Sequence, residues 1–224
     1  MAELSPMMKQ YFKIKDKHKD TLLFYRLGDF YEMFFDDAKI ASKELELTLT
    51  GKDYGQKERA PMCGVPYHSC EAYIARLIKK GYKVAICEQK GDNANAKAKS
   101  LMEREVVRVI TPGTVIESSM LDEGKNNYIA SLFLSKTTAG LSFCDISTGE
   151  IHATYLKGKD IVPYIQSELV KFFPSEILVI GNMKKFKELE GFIKDRLNTL
   201  INIIDEKADP SYEKEVLNQF KVDS

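Results

Sequence analysis

The sequence predicts an α/β protein with two domains. Its 224 residues are enough for two compact domains, because a typical domain contains about 100–200 residues. Short apolar segments typical of strands alternate with amphipathic segments typical of helices along the chain. Residues 115–126 separate two such series. We therefore expect a first domain over residues 1–114, a linker over residues 115–126 and a second domain over residues 127–224.

The first domain is expected to open with a helix and a buried strand. Ser5 and Pro6 form a typical helix start, since serine caps the first turn and proline fits it. The apolar run from Thr21 to Leu27 then predicts a strand. The later predicted elements are a helix from Asp36 to Leu45, strands at residues 47–50, 82–88 and 103–110, a helix from His68 to Lys80, and loops at residues 51–59, 61–68 and 91–100.

The second domain begins with three strand patterns joined by tight turns. The predicted elements are strands at residues 128–134, 141–146 and 150–156, a helix at residues 160–172, and strands at residues 176–180 and 201–204. Three antiparallel strands followed by alternating helices and strands suggest a ribonuclease H-like fold. Such a fold leaves a metal-dependent nuclease open as an alternative function, with Asp145 as the first metal-binding acid and Glu168 or Asp205 as further ligands.

An aromatic residue and a carboxylate alternate at the end of the first predicted strand. The stretch Gly28 to Phe34 reads as a Gly-Asp turn followed by extended chain. In extended backbone, Phe30 and Glu32 project from one face and their neighbours from the other. A ring beside a carboxylate can stack on a nucleic-acid base and hydrogen-bond to its edge.

Five blocks of sequence carry a family resemblance. They are Leu23–Glu32, Asp36-Asp37-Ala38, Pro61–His68, Val84–Gln89 and Val109–Thr114. In this order they resemble the amino-terminal part of the MutS family of DNA mismatch repair proteins. The resemblance is strong over residues 1 to about 116 and fainter beyond. It implies a mixed-sheet mismatch-recognition domain followed by a ribonuclease H-like connector domain.

The resemblance implies a non-catalytic probe of mismatched or unpaired DNA. Phe30 would enter the minor groove and stack on the base, and Glu32 would hydrogen-bond to it. Loop position and positive charge suggest Lys52, Lys57 and Arg59 as contacts to the sugar-phosphate backbone. The resemblance further implies that the connector domain docks a MutL partner and contacts the remaining MutS domains.

Composition excludes several other classes of protein. Lys plus Arg and Asp plus Glu each number 33, but residues 1–112 carry 20 basic and 16 acidic side chains, which leaves 13 and 17 for the remainder. The more basic half is the half that can meet phosphates. The apolar segments are too short to span a bilayer, and the four cysteines lack the spacing of a zinc site. We expect a reduced, cytoplasmic protein without membrane contact.

The chain lacks the sequence of a nucleotide-binding loop. The pattern Gly-x-x-x-x-Gly-Lys-Ser/Thr does not occur, so we expect no ATP hydrolysis, and ATP and magnesium are expected only in a full-length parent. The resemblance therefore predicts a fragment whose connector domain ends early. We also expect Asp36 and Asp37 to cap a helix, although a carboxylate metal site was the alternative for this pair.

Overall fold

A computed structural model describes residues 4–90, 102–204 and 211–221 of the chain. The protein divides into two compact units, Met1–Lys125 and Asn126–Ser224, each built on one mixed β-sheet. The predicted two-domain α/β fold is confirmed. Among the residues described, no helix has the length and apolar character needed to cross a membrane.

The first unit contains a six-stranded sheet and three α-helices in its described part. The chain order is α1 (Pro6–Lys15), β1 (Leu22–Leu27), β2 (Phe30–Phe34), α2 (Phe35–Leu45), β3 (Thr50–Lys52), β4 (Ala60–Pro66), α3 (Cys70–Lys79), β5 (Val84–Gln89) and β6 (Arg104–Ile110). The strand order across the sheet is β3-β4-β2-β1-β5-β6. β1 and β5 run parallel, and every other neighbouring pair is antiparallel.

The two faces of this sheet carry separate hydrophobic clusters. Alternate residues of β1 point to opposite sides, so Phe24 packs with the apolar side chains of α2 and α3, whereas Tyr25 packs with Met8 and Tyr11 of α1. The helix α1 begins as predicted, with the Ser5 hydroxyl accepting from the backbone N–H of Met8 at 3.4 Å. The sheet is thus sandwiched between one helix and a helix pair.

Two local predictions for the first unit were wrong. The strand expected at residues 47–50 lies instead at Thr50–Lys52, so Lys52 belongs to a strand and not to the predicted loop. The segment Pro61–His68 was expected to be a shaped loop, but Ala60–Pro66 is a strand that pairs with both β2 and β3. Its prolines stand near the two ends, where a missing N–H leaves the ladder between them intact.

The expectation for Asp36 and Asp37 was also wrong in its detail. The residue before α2 is Phe34, and both carboxylates lie inside the first turn. Asp37 is buried and accepts from the backbone N–H of Leu23 at 3.0 Å, while the Lys15 ammonium lies 2.8 Å away. Burial raises the pKa of Asp37 above its ordinary value, and the Lys15 contact opposes that rise. The carboxylate therefore joins α1, β1 and α2.

The second unit has a five-stranded sheet of the predicted ribonuclease H-like type. Its elements are β7 (Tyr128–Leu134), β8 (Thr138–Asp145), β9 (Glu150–Lys157), α4 (Val162–Phe172), β10 (Glu176–Ile180), α5 (Lys187–Gly191), β11 (Leu200–Ile204) and α6 (Ser211–Phe220). The strand order is β11-β10-β7-β8-β9. β7, β8 and β9 form an antiparallel meander, and β10 and β11 run parallel to β7.

One face of this second sheet forms the core of the unit. Leu132, Phe143 and Val179 project from it against Ile165 and Leu169 of α4. The same alternation places other apolar side chains on the opposite face, where Phe133 remains 45% exposed.

Part of the predicted linker packs into the first unit, and two other predicted features lie outside the described residues. The predicted linker, residues 115–126, contains Val115 and Met120, which are buried in the core of the first unit. The predicted loop at residues 91–100 and the acid Asp205 lie outside the described residues.

The Lys15 and Asp37 contact yields a stability prediction. Lys15→Met should lower the free energy of unfolding by about 1–3 kcal/mol at pH 7, because a buried carboxylate loses its cation. A carboxyl group whose folded pKa is raised favours the fold in its protonated form, so the loss should shrink as the pH falls toward 4. Chemical denaturation at several pH values measures this. Lys13→Met on the same helix is the control, and a loss independent of pH would contradict the assignment.

Candidate nucleic-acid interface

Phe30 and Glu32 share the outer face of β2. Phe30 is 47% exposed and Glu32 is half-buried, whereas Tyr31 and Met33 between and after them are buried in the core. Phe30 is one of several large apolar side chains that remain exposed in the described residues. The structure thus presents an exposed ring and a carboxylate on the same face of β2.

The neighbouring strand leaves space for this pair. In the β2 and β4 register, Gly64 lies opposite Glu32, and Pro66 lies opposite Phe30. A Cβ atom at Gly64 would stand 3.2 Å from the Tyr31 carbonyl oxygen and 3.6 Å from Cγ of Glu32. The glycine therefore allows the Glu32 side chain to lie over β4.

The helix α1 covers the other end of the same sheet face. Tyr25 donates its hydroxyl to Oε1 of Gln10 at 2.7 Å, and Arg104 donates to the same oxygen at 3.3 Å. Burial raises the pKa of Tyr25 to about 12, so its hydroxyl remains a donor. Arg104 also donates from Nε to the Arg26 carbonyl at 2.7 Å. These bonds fix the border between the covered part of the face and the open part.

Arg26 anchors the turn that presents Phe30. Its Nε donates to the Gly28 carbonyl at 2.6 Å, and its guanidinium lies 3.6 Å from the centre of the Tyr67 ring. The backbone N–H of Tyr67 in turn donates to the Asp29 carbonyl at 2.9 Å. Gly28 has a φ of 58°, which glycine adopts without strain. The turn is held from both sides by an arginine and a tyrosine.

A partly buried hydrogen bond supports β2 on the face opposite Phe30. The Tyr31 hydroxyl donates to Oε1 of Glu88 on β5, and the same oxygen lies 3.6 Å from Arg26. Burial, followed by the Glu88 contact, raises the pKa of Tyr31 well above its usual range. Tyr31 therefore stays protonated and keeps donating. Sequence reasoning missed Arg26, Tyr67 and Glu88 as supports, and the only signal was a lone arginine inside an apolar strand.

Lys52 forms an ion pair with Glu32. The Lys52 ammonium lies 2.5 Å from Oε2 of Glu32, with the lysine side chain 31% exposed and the glutamate side chain 16% exposed. The same nitrogen lies 5.8 Å from the centre of the Phe34 ring. The two residues come from β3 and β2, which are separated by β4. The structure therefore brings Lys52 against Glu32, on the strand face from which Phe30 also projects.

The other two predicted basic contacts are placed differently. Arg59 is exposed and pairs with Asp53 at 3.2 Å within the loop, and a Cβ atom at Gly51 would meet the Arg59 side chain at 3.0 Å. Lys57 is exposed in the same loop. Neither has a contact with Phe30 or Glu32 among those described.

Within the described part of the second unit, Asp145 and Glu168 each have partners other than a shared metal site. Asp145 is 1% exposed and accepts from the Ser147 hydroxyl at 2.6 Å and from the backbone N–H groups of Asn127 and Ser147 at 3.1 and 2.8 Å. Its oxygens therefore hold the β8 to β9 turn. Glu168 pairs with Lys171 on α4 at 2.6 Å. In residues 4–90, 102–204 and 211–221, no three His, Cys, Asp or Glu side chains are grouped to hold a metal ion.

The described residues form a two-domain α/β protein with an exposed ring and a carboxylate on one sheet face, an arrangement that suits stacking on a base and hydrogen-bonding to its edge. Sequence comparison makes the assignment specific. The family model of MutS domain I matches residues 5–119, and that of MutS domain II matches residues 127–224. The chain belongs to the MutS family, as the sequence blocks indicated.

Named relatives agree with this assignment. The chain is 50% identical over 226 residues to the DNA mismatch repair protein MutS of Acetivibrio thermocellus, covering 99% of this chain and 25% of the relative. It is 51% identical over 208 residues to that of Ruminiclostridium cellulolyticum, covering 93% of this chain and 24% of the relative. A Clostridium botulinum protein of the same name is 54% identical over 182 residues, which are 81% of this chain and 19% of the relative. The chain spans about a quarter of the length of such relatives.

Asp145 provides a test between a structural and a catalytic role. Burial tends to raise its pKa, but the hydrogen bonds from Ser147, Asn127 and Thr148 outweigh this and lower it. Asp145→Ala should lower the free energy of unfolding of the second unit by about 1–3 kcal/mol at pH 7, because backbone donors lose their acceptor.

The loss of stability expected for Asp145→Ala depends on pH. A lowered folded pKa stabilises the fold above the ordinary value of 3.8, and this contribution is lost as the pH falls through the lowered pKa. The destabilisation should therefore diminish in acid, as measured by denaturant titration. The control is Glu168→Ala, which removes a partly buried carboxylate of the same unit that pairs with the exposed Lys171. A metal-dependent DNA cleavage that disappears in Asp145→Ala, without a change in stability, would instead favour the nuclease.

Proposed function

We propose that the first unit recognises mismatched or unpaired bases in double-stranded DNA. The observation that carries the proposal is the 47% exposed Phe30 ring next to Glu32 on an open sheet face. The match to MutS domain I and the name of the relatives, DNA mismatch repair protein MutS, support it.

Phe30 is proposed to act as a wedge in the minor groove. Inserting a ring between base steps kinks the duplex and costs a few kcal/mol of lost stacking. A mispaired or extrahelical base has already lost part of that stacking, so the same insertion costs less there. The difference in deformation energy selects defective pairing over intact duplex.

Glu32 is proposed to hydrogen-bond to the displaced base. Its side chain projects from the same face as Phe30, two residues along β2. A carboxylate among phosphates weakens binding to every duplex through charge repulsion. Because only a displaced base returns a hydrogen bond, this repulsion improves discrimination more than affinity.

The basic side chains are proposed to hold the DNA backbone. Lys52, Lys57 and Arg59 lie on β3 and the loop after it, and all three are at least partly exposed. Contacts of this kind add affinity that falls with salt and carry no sequence preference. Arg59 must exchange Asp53 for a phosphate, so its net contribution is expected to be small.

The second unit is proposed to be a connector. We propose that it docks MutL and contacts the remaining MutS domains, and that residues 115–126 link it functionally to the recognition domain. We also propose that the chain is not an enzyme by itself, with ATP and magnesium used elsewhere in a full-length protein. A cytoplasmic location fits its four free cysteine thiols.

The Phe30 proposal is tested by truncating the ring. Phe30→Ala should weaken binding to a duplex with one unpaired thymine by about 1–3 kcal/mol, or roughly 5- to 150-fold, because base–aromatic stacking is lost. Binding to the fully paired duplex should change much less. Glu32→Ala should reduce the ratio of the two affinities while strengthening paired-duplex binding. Equilibrium fluorescence anisotropy of the parent 224-residue chain and of both variants, with each duplex at two salt concentrations, measures these affinities.

A second exposed phenylalanine is the matched control. Phe133 is 45% exposed on the sheet of the other unit, so Phe133→Ala removes a similar ring from a similar environment. It should leave both affinities unchanged. Mismatch selectivity that persists in Phe30→Ala would overturn the proposal.

A further inference from the structure

The carboxylate assigned to base recognition already has a partner inside the protein. Lys52 lies 2.5 Å from Glu32, and this contact combines an ion pair with a hydrogen bond. The Glu32 side chain is only 16% exposed in this arrangement. A base edge that approaches Glu32 therefore meets a carboxylate whose Oε2 already accepts a hydrogen bond from Lys52.

The sheet holds Glu32 and Lys52 to different degrees. Glu32 is held by a strand paired on both sides, opposite Tyr25 on β1 and Gly64 on β4. Lys52 is the last residue of the three-residue strand β3, which lies at the edge of the sheet. A lysine carries four methylene groups and loses much rotamer freedom when it is fixed. Lys52 is thus the partner that can leave while Glu32 stays in place.

We infer that Lys52 is a specificity-determining residue that competes with the DNA base for Glu32. The inference rests on the proposed recognition of displaced bases by Phe30 and Glu32. On paired DNA the contact stays closed, and Lys52 neutralises the Glu32 charge next to the phosphates. On a displaced base Glu32 exchanges Lys52 for the base edge, so the ion pair has to be broken only in that complex.

This exchange makes a prediction that a simple phosphate contact does not make. Removing Lys52 leaves Glu32 as an uncompensated charge against paired DNA, so paired-duplex binding weakens. Binding to a displaced base weakens less, since no ion pair has to be broken first. Partly exposed ion pairs are worth about 0.2–1 kcal/mol, so the ratio of mismatched to paired affinity should rise about 1.4- to 5-fold.

The experiment is a double-mutant cycle in the full 224-residue chain. Affinities for the duplex with one unpaired thymine and for its paired control are measured for Lys52→Met, Glu32→Gln and the double variant. Lys52→Met should raise the affinity ratio in the parent background and leave it unchanged beside Glu32→Gln. Lys52→Arg keeps the cation and should keep the parent ratio.

Lys57→Met is the matched control, because it removes the same charge from the adjoining loop. It should weaken both duplexes equally and leave the ratio unchanged. The inference would be overturned if Lys52→Met left the affinity ratio equal to that of the parent. It would also be overturned if Lys52→Met raised the ratio as much beside Glu32→Gln as in the parent background.

The outcomes separate this inference from the function on which it rests. If the parent chain prefers the unpaired thymine and loses that preference in Phe30→Ala, the recognition site stands, and the Lys52 cycle decides the inference alone. If the parent chain shows no preference, both the proposed function and the inference fail. In the free protein, the carboxyl ¹³C resonance of Glu32 should move in Lys52→Met and remain in place in Lys57→Met. An unmoved resonance in Lys52→Met would also overturn the inference.

Discussion

The alternation of side chains along β2 is the constraint on which the candidate site depends. Tyr31 and Met33 are buried in the cluster formed with α2 and α3, and this burial places Phe30, Glu32 and Phe34 on the α1 side, where Phe34 is buried and Phe30 remains 47% exposed. A shift of one residue would turn Phe30 to the α2 and α3 side and Met33 to the α1 side. Because the core stabilises only one register, the same packing that folds the unit also exposes the ring and the carboxylate.

Exposure of Phe30 forgoes the burial of a large apolar side chain, which is worth roughly 1.5–3 kcal/mol. The surrounding contacts offset this cost by holding the turn that carries the ring in one conformation. Arg26 stacks on Tyr67 and bonds to the Gly28 carbonyl, and Tyr31 bonds to Glu88. A ring on a mobile turn would lose conformational entropy on each insertion, whereas a ring on a fixed turn has lost it during folding.

Local patterns predicted the parts of the structure that depend on neighbours in sequence. The alternation of Phe30 and Glu32 is of this kind, and so is the antiparallel meander that opens the second unit. The partners of Lys52 and Asp37 were not predicted, because they lie on other elements and depend on how those elements pack. A loop was expected over Pro61–His68 because its prolines are locally typical of loops, but Ala60–Pro66 is a strand. Pairing with a strand on each side overrode that preference.

The proposed site combines a ring on a strand that is paired on both sides, β2, with a lysine on a short edge strand, β3. A wedge must be stiff, since its selectivity comes from the energy needed to deform the DNA around it. The cation that neutralises a carboxylate facing phosphates must instead be able to move, because a fixed cation would hold the carboxylate away from the base. β2 lies between two strands, whereas the short edge strand β3 carries the lysine that is proposed to leave the carboxylate. The positions of these strands in the sheet therefore suit the two tasks that the proposed function assigns to the site.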